Sequence, residues 1–429
     1  MGLGSIAFLL IGFVIISVRR TDLMDVRSAY ISAHCFTERC DPYKQGDLMR
    51  AYIASGGAVP ADRQGIETLG FETQNLYLPT ALAVVAPLSL LPYELARPLW
   101  VLLTAAAYLL ACWLMWSVAS EKSPLLSAAL IGSYLINSGS LISTSNLGAL
   151  SLSLCVIAAW CFMRERFAPA GIVCMALSLA LKPHESGLVW LFFLLLGGSY
   201  RKRALHSLLI LGLIAVPTLL WIHHTSPQWT RELQANMLAH YAPGGVDDPG
   251  PAAALNRGTF VITDLQAVIS FFADNPSVYN PVSYALCLAL LVAIVYPTRR
   301  IEPSPERIWI GLAAITALSM LPVYHRQYDA KLLILTVPAF SSLWAAGGRL
   351  AKMALVIEGA GILFTSDLPW AFFRALIAQL QLPATGALGK LLIAILSFPV
   401  PLALLVMCIF YGAVYRSRVE VSVLATSSR

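Results

Sequence analysis

The feature that most limits the possible folds is the recurrence of long apolar runs along nearly the whole chain. These runs are roughly 15 to 23 residues long, and about 20 helical residues are needed to cross the hydrocarbon core of a bilayer. Only 12% of the 429 residues are charged, against about 25% in soluble domains. Because no ten-residue strands of alternating polarity accompany the runs, the sequence predicts an all-α polytopic membrane protein.

The charges that remain lie mostly at the edges of the apolar runs. The net charge of +6 is therefore a signal of membrane topology. The sequence has no basic tail and no basic patch rich in aromatic residues, so it does not indicate nucleic acid as a partner. We expect one membrane domain over residues 1–429, with about nine to twelve crossings of the lipid bilayer.

Two polar intervals, residues 21–79 and 223–280, are long enough to form loops outside the membrane. Charge counting places the second interval outside the cell, where it is either a cap over a site or a passive connector. The first interval is cytoplasmic if every apolar run crosses, and extracytoplasmic if one run does not. Residues 80–91 are the best candidate for a run that does not cross. They lie between prolines and are too short for about 30 Å of hydrocarbon at about 1.5 Å per residue.

The cysteines give one open question about the first interval. Most of the eight lie within apolar runs, where a cysteine is an ordinary small apolar side chain. Cys35 and Cys40 share a polar segment, and they either form a disulfide, if the segment is extracytoplasmic, or stay as thiols. No CxxC pair or histidine-rich pattern predicts a metal site, and no cofactor is expected.

Ionisable side chains beside apolar runs are the candidates for chemistry, because they are costly near lipid and usually functional. The alternative is that they are solvated helix ends, whose long cations reach the membrane surface. We expect that alternative for Glu185 and Lys331. For Asp25 we expect a function, since aspartate is too short to reach the surface. For Lys182 we also expect a function, since it lies between two apolar pieces too short to span the membrane comfortably. Three clusters contain these residues: Asp22, Asp25 and Arg27; Lys182, His184 and Glu185; His325, Arg326, Asp329 and Lys331.

A carboxylate with several cations at one membrane face is suited to moving a group off a lipid phosphate. The carboxylate of Asp25 can take the proton from an attacking hydroxyl as a general base. Lysine, arginine and protonated histidine can stabilise the charge that develops on the phosphate as its bond to the transferred group breaks. No pair of aspartates in DxD spacing indicates a bound divalent metal.

Four sequence motifs occur in a fixed order. They are Asp25-Val26-Arg27-Ser28-Ala29-Tyr30 with Cys40-Asp41-Pro42-Tyr43; Leu76-Tyr77-Leu78-Pro79 with Ala86-Pro87-Leu88-Ser89-Leu90-Leu91-Pro92 and Trp100; Ala180-Leu181-Lys182-Pro183-His184; and Tyr328-Asp329-Ala330-Lys331-Leu332-Leu333. In this order they resemble glycosyltransferase family 87. The family often has Gly-Gln-x-Asn where this chain has Thr144-Ser145-Asn146-Leu147, and a second proline at Thr80, so the resemblance leaves the substrate open.

The resemblance implies a GT-C-like fold with two sizeable extracytoplasmic loops, in a multi-pass protein of the inner (plasma) membrane. It also implies a polyprenyl-phosphate-linked sugar as donor, transfer on the extracytoplasmic face, and Asp25 in the place of the family's proposed base. We expect a mannose-like hexose and a glycan or glycolipid acceptor of the cell envelope. The resemblance also favours a cytoplasmic N-terminus, with residues 80–91 or a neighbouring run tilted, broken or re-entrant.

The remaining candidate residues are divided between the two substrates. We expect Lys182, His325 and Arg326 to bind the donor phosphate. Other candidates are expected to line the substrate pocket: Arg27, Tyr30, Tyr43, Asn146, His184, Tyr328 and Asp329. The alternative function is a carrier of lipid-linked sugar or polyprenyl phosphate without catalytic activity, because charges near lipid also mark transport pathways.

Overall fold

The structure is a computed structural model that describes residues 1–19, 24–62, 65–66, 69–70, 73–250, 262–298, 304–367 and 395–427, with positions 372, 375, 379, 389 and 391 between the last two ranges. Every regular element in these ranges is a helix, apart from one antiparallel bridge between Ile262 and Arg326. The all-α fold class is therefore confirmed. Asp22, with other parts of the first polar interval and residues 251–261 of the second, lies outside the described residues.

The helices range in length from 6 to 29 residues. In chain order they are α1 (Gly2–Arg19), α2 (Met24–Glu38), α3 (Gln45–Ala54), α4 (Pro79–Ser89), α5 (Tyr93–Ala119), α6 (Pro124–Ile136), α7 (Gly139–Thr144), α8 (Leu147–Met163), α9 (Ala168–Leu181), α10 (Pro183–Leu196), α11 (Gly198–Thr225), α12 (Trp229–Tyr241), α13 (Leu265–Ser270), α14 (Pro276–Thr298), α15 (Pro305–Ser319), α16 (Val337–Ala346), α17 (Gly348–Thr365) and α18 (Pro399–Ser427). Two 3₁₀ segments, Glu165–Phe167 and Gln327–Thr336, lead into α9 and α16.

Six helical segments in the described part of the chain are long and apolar enough to cross a membrane, which makes this a multi-pass membrane protein. They are Tyr93–Ala119, Pro124–Thr144, Gly198–Thr225, Pro276–Tyr296, Gln327–Ala346 and Pro399–Ser417. Shorter apolar helices accompany them, among them α4, α8, α9 and α10. The expected nine to twelve crossings stay a prediction, because the total depends on which of these shorter helices cross.

The helices pack around α8, whose side chains are buried on nearly every side. Small residues along α8 let neighbouring helices approach closely, as is common in membrane bundles. Ser151 and Ser178 each donate a side-chain hydrogen bond to the other's carbonyl oxygen, at 3.1 and 2.8 Å, and so tie α8 to α9. This contact fixes the position of the α9 C-terminus, where Lys182 lies, relative to the α8 N-terminus, where Asn146 lies.

The two ends of α8 and α9 differ in charge. At one end, exposed ion pairs join the helix connections: Arg164 Nη2 is 2.8 Å from Glu121 Oε1, and Lys122 Nζ is 3.0 Å from Glu306 Oε1. Arg203 also donates to the Phe162 carbonyl there. The exposed Arg201 and Lys202 lie beside Arg203 and add to the basic residues of this end. The opposite ends of α8 and α9 carry Asn146 and Lys182. The bundle therefore has a basic end and an end that holds the candidate site residues.

The first polar interval contains helices packed against α4. A cluster that includes Tyr30, Cys35, Tyr52 and Tyr93 joins α2, α3 and α5, and the Tyr30 hydroxyl donates to the Leu91 carbonyl at 2.7 Å. The disulfide alternative is the one found, because Cys35 is bonded to Cys40. With 11 residues, α4 covers about 17 Å, which is too short to cross a bilayer alone.

Candidate active site

Lys182 forms a compact charged centre at the break between α9 and α10. Its Nζ lies 2.7 Å from Asp329 Oδ1 and 2.7 Å from Glu185 Oε1. All three side chains are buried, and a buried charge is tolerable only when it is paired. Our expectation that Glu185 is a solvated helix end is therefore wrong, because its side chain is 1% exposed and contacts the lysine.

Gly148, in the first turn of α8, leaves the space that this charged centre occupies. A Cβ at this position would lie 2.4 Å from Glu185 Oε1, 2.8 Å from Asp329 Oδ1 and 2.8 Å from Lys182 Nζ. All three distances are too short for a real contact. The absence of a side chain at residue 148 is therefore a condition for the observed arrangement.

Arg326 connects this centre to the second polar interval. Its Nη2 donates to Asp247 Oδ1 at 2.8 Å, its Nε donates to the Tyr324 hydroxyl, and its backbone N–H donates to Asp329 Oδ2 at 2.9 Å. The Arg326 side chain is 29% exposed, so part of it is open to a ligand. Asp247, which sequence reasoning did not select, brings residues of the second interval against the site.

The environment of Asp247 favours its charged form. Burial alone would raise the pKa of this carboxyl. The hydrogen bond with His240, at 3.0 Å, and the charge of Arg326 outweigh burial, and together they lower the pKa to about 2. Asp247 and Arg326 are therefore a charged pair at neutral pH.

Asp25 lies in the first turn of α2, where it meets groups from three other parts of the chain. The Asn146 side chain hydrogen-bonds the Asp25 carboxyl, and the charges of Arg326 and Lys182 act on it. Burial raises the pKa of Asp25 above its ordinary value of 3.8, although these three neighbours oppose the shift. The structure thus brings Asp25 close to two cations that are far from it in sequence.

Tyr77 is a residue of this site that our sequence reasoning missed. Its hydroxyl accepts a 3.4 Å hydrogen bond from Asn146 Nδ2, and the charge of Asp25 acts on it. The Tyr43 hydroxyl donates to the Tyr77 carbonyl at 2.8 Å, so Tyr43 helps to fix the backbone of Tyr77. Tyr77 lies in the Leu-Tyr-Leu-Pro motif that carries part of the family resemblance, so the sequence does hold a signal that points to it.

The two histidines lie together but differ in exposure. The rings of His184 and His325 are in edge contact, with centroids 4.9 Å apart, and His184 is exposed. His325 is fully buried, and burial lowers its pKa to about 4. It is neutral at pH 7, so our interpretation of His325 as a phosphate-binding cation does not fit its environment. Tyr328 faces Lys182, whose Nζ is 5.6 Å from the ring centroid.

Arg27 and Tyr30 were expected in the substrate pocket, but the structure packs them elsewhere. The Arg27 guanidinium lies over the rings of Tyr52 and Tyr93, at 4.5 and 4.7 Å from their centroids. Tyr30 stacks on His34 in the same region. These contacts stabilise the helices of the first polar interval and do not reach Asp25.

Lys331 is also placed differently from our expectation of a solvated helix end. It is 1% exposed, and its Nζ donates to the carbonyl oxygens of Asn137 and Thr365, at 2.7 and 2.6 Å, while lying 3.0 Å from Asp367 Oδ1. A cation suits this place because helix C-termini carry unpaired carbonyls and partial negative charge. Lys331 therefore has a structural role at the ends of α6 and α17.

These features define a multi-pass membrane protein with a carboxylate and two paired cations gathered at one end of its bundle. Within the described ranges, no group of three or more His, Cys, Asp or Glu side chains could hold a metal ion. The chain matches the model of glycosyltransferase family 87 over residues 75–322, which is more than half of its length.

The chain therefore belongs to glycosyltransferase family 87, and the resemblance inferred from its motifs is confirmed. It is accordingly a membrane glycosyltransferase. No curated protein and no solved structure matches the chain. The matched region contains Asn146 and Lys182, whereas Asp25 and Arg326 lie outside it.

Proposed function

We propose that this protein transfers a hexose, mannose or a close relative, from a polyprenyl-phosphate-linked donor to a glycan or glycolipid acceptor, with Asp25 as the general base. The single observation that carries the proposal is the proximity of the Asp25 carboxyl to Arg326 and Lys182. Asp25 can take a proton while the two cations stabilise negative charge on the leaving phosphate. Displacement of a lipid phosphate requires both.

The proposed reaction is a direct displacement at the anomeric carbon. An acceptor hydroxyl attacks the sugar, Asp25 takes the hydroxyl proton, and the bond between the sugar and the lipid phosphate breaks. The phosphate leaves with the bonding electrons, so its negative charge increases. Cations fixed in a site with little water stabilise such a charge most strongly in the transition state.

Arg326 is the better candidate for the leaving phosphate. Part of its side chain is exposed, whereas Lys182 is buried and held by two carboxylates at 2.7 Å. We therefore assign Arg326 the direct phosphate contact and Lys182 a long-range electrostatic contribution. In this proposal His325 packs against His184 and carries no charge.

The raised pKa of Asp25 suits the proposed base. A carboxylate takes a proton more readily as its pKa approaches the operating pH. The three groups that oppose the shift, Arg326, Asn146 and Lys182, favour the ionised form that must be present before the reaction. We therefore expect transfer to fall at acidic pH as Asp25 becomes protonated.

Two observations support an active site on the extracytoplasmic side. The opposite end of α8 and α9 carries the basic residues Arg164 and Arg203, and basic ends are usually cytoplasmic. The disulfide between Cys35 and Cys40 also favours an oxidising compartment for the segment that follows Asp25.

The test is transfer of labelled sugar from a synthetic lipid-phosphate donor by the purified protein in lipid nanodiscs. Asp25→Asn removes the base while nearly keeping its shape, and we expect it to lose activity by about 10²- to 10⁴-fold. Asp274→Asn, at an exposed aspartate, is the matched control and should keep wild-type activity. Wild-type activity in Asp25→Asn would refute the proposed role, and sugar movement across the bilayer without a product would favour a carrier.

A further inference from the structure

A general base acts only when its carboxylate points at the proton that it takes. Packing of Val26 and Ala29 into the core fixes the backbone of α2, but the Asp25 side chain can still rotate about its Cα–Cβ bond. Something outside α2 must therefore hold the carboxylate. Among the groups that act on Asp25, Asn146 does so through a side-chain hydrogen bond, whereas Arg326, Lys182 and Asp247 act through their charges.

The orientation of the Asn146 amide is fixed by the start of α8. Asn146 is the N-cap of this helix, and its Oδ1 accepts a hydrogen bond from the Gly148 backbone N–H at 2.7 Å. A backbone N–H can only donate, so the oxygen of the amide must face it. Nδ2 is then directed to the other side, where it donates to the Tyr77 hydroxyl at 3.4 Å. The hydrogen bond of the Asn146 side chain with the Asp25 carboxyl needs the same donor.

The backbone before Asn146 is held in an unusual conformation. Ser145 has a φ of +48°, in the left-handed region that residues other than glycine seldom adopt. The buried indole of Trp100 donates from Nε1 to the Ser145 carbonyl at 2.9 Å, and the Ser145 hydroxyl donates to the Ile142 carbonyl at 2.7 Å. These contacts keep a strained turn in place, and strain of this kind is concentrated at functional sites.

We propose that Asn146 is the positioning residue of the catalytic base: its Nδ2 orients the Asp25 carboxylate, and Trp100 holds the left-handed turn at Ser145 that aims the amide. This inference rests on the proposed function, and it gives Asn146 a role different from the place in the substrate pocket that the sequence predicts. Asn146 touches the base, and it acts on the reaction through Asp25.

The proposal makes a statement about pH as well as about rate. Several titratable or charged groups act on Asp25 or feel its charge: Arg326, Lys182, Asp247, Tyr77 and Tyr328. Among the neighbours, Asn146 contributes a donated hydrogen bond, which favours the carboxylate and lowers its pKa. Loss of that donor raises the pKa of Asp25, so the acidic limb of the rate profile moves to higher pH.

Two substitutions remove the amide donor of Asn146 while keeping a residue that can cap α8. Asn146→Thr and Asn146→Ser both keep an oxygen that can cap α8, both remove the amide donor directed at Asp25, and neither adds a charge. We expect kcat to fall by about 10²-fold, as for a misplaced catalytic group, with the KM for the lipid-phosphate donor little changed. Trp100→Phe, which removes the Nε1 donor together with part of a buried ring, should lower kcat in the same direction by a smaller factor.

The matched control is a helix cap at the other end of the bundle. Ser304 caps α15, where its Oγ accepts from the Arg307 backbone N–H. Ser304→Ala loses a cap without touching Asp25, so it should keep the wild-type rate profile. A general loss of helix stability would affect Ser304→Ala and the Asn146 variants alike, whereas a positioning role moves the acidic limb in the Asn146 variants alone.

A second measurement does not depend on turnover. A carbodiimide reacts with protonated carboxyls, so mass spectrometry of Asp25 labelling against pH reports its titration in folded protein. We expect labelling in Asn146→Thr and Asn146→Ser to begin at higher pH than in the wild type. Unchanged labelling and unchanged kcat in both variants would overturn the positioning role.

The outcomes also separate this inference from the proposed function. If Asp25→Asn is inactive and the Asn146 variants have the wild-type profile, the function stands and the positioning role is wrong. If Asp25→Asn is as active as the wild type, the base itself is wrong and the inference falls with it.

Discussion

Gly148→Ala tests whether the charged centre around Lys182 depends on close approach of α8. The new Cβ would lie 2.4 Å from Glu185 Oε1 and 2.8 Å from both Asp329 Oδ1 and Lys182 Nζ, whereas ordinary contact begins at 3.4 Å. Relief therefore requires the glutamate oxygen to move by about 1 Å and the other two atoms by about 0.6 Å each.

The expected cost follows from how these groups respond. If they shift together and stay paired, overpacking lowers the free energy of unfolding by about 1–3 kcal/mol. If the shift leaves a buried charge unpaired, the loss rises to about 3–5 kcal/mol. A displacement near 1 Å at a catalytic centre also lowers turnover by about 10²-fold.

The assay combines unfolding in mixed detergent micelles with the sugar-transfer rate. Gly187→Ala is the matched control, because it lies in α10 two residues after Glu185 and its Cβ would meet no atom within 4 Å. We expect Gly187→Ala to unfold and turn over like the wild type. Wild-type stability and wild-type turnover in Gly148→Ala would refute the close packing described here.

Two further predictions concern the first polar interval. Arg27→Gln should lower the free energy of unfolding by about 0.5–2 kcal/mol, because its guanidinium lies over two tyrosine rings, and should leave the KM for the donor unchanged. A rise in donor KM would instead return Arg27 to the substrate pocket. Cys35 and Cys40 should react with a membrane-impermeant maleimide only after reduction, as read by a mass shift on intact cells. Labelling without reductant would contradict the disulfide.

The class of protein could be predicted because apolar runs near 20 residues admit few alternatives. The count of crossings could not be predicted in the same way. Helices such as α8, α9 and α10 are close to the length limit, and whether they cross depends on tilt and on packing against neighbours.

The misplacement of Arg27 has a simple geometric cause. The polarity of residues 21–79 predicts a loop, but α2 begins at Met24, and residues two apart on a helix do not face each other. With Asp25 directed at the site, Arg27 must point elsewhere. A helical reading of this segment would have removed Arg27 from the pocket on sequence grounds.

The pairing of Lys182 with Glu185 was accessible from sequence, whereas the contact of Arg326 with Asp247 was not. Lys182 and Glu185 are three residues apart at the start of a helix, a spacing that brings side chains together. Asp247 is 79 positions from Arg326 and lies in an irregular segment, so only the folded chain brings the two together.

Chemical rescue tests the central claim most directly, since the claim is that the Asp25 carboxylate itself takes the acceptor proton. Asp25→Ala leaves space beside Arg326 and Asn146 that a small carboxylate can enter. We predict that this variant is inactive alone, and that added formate restores transfer in proportion to its concentration while the neutral formamide does not. Asp25→Ala protein that transfers sugar at the wild-type rate without any additive would contradict the account.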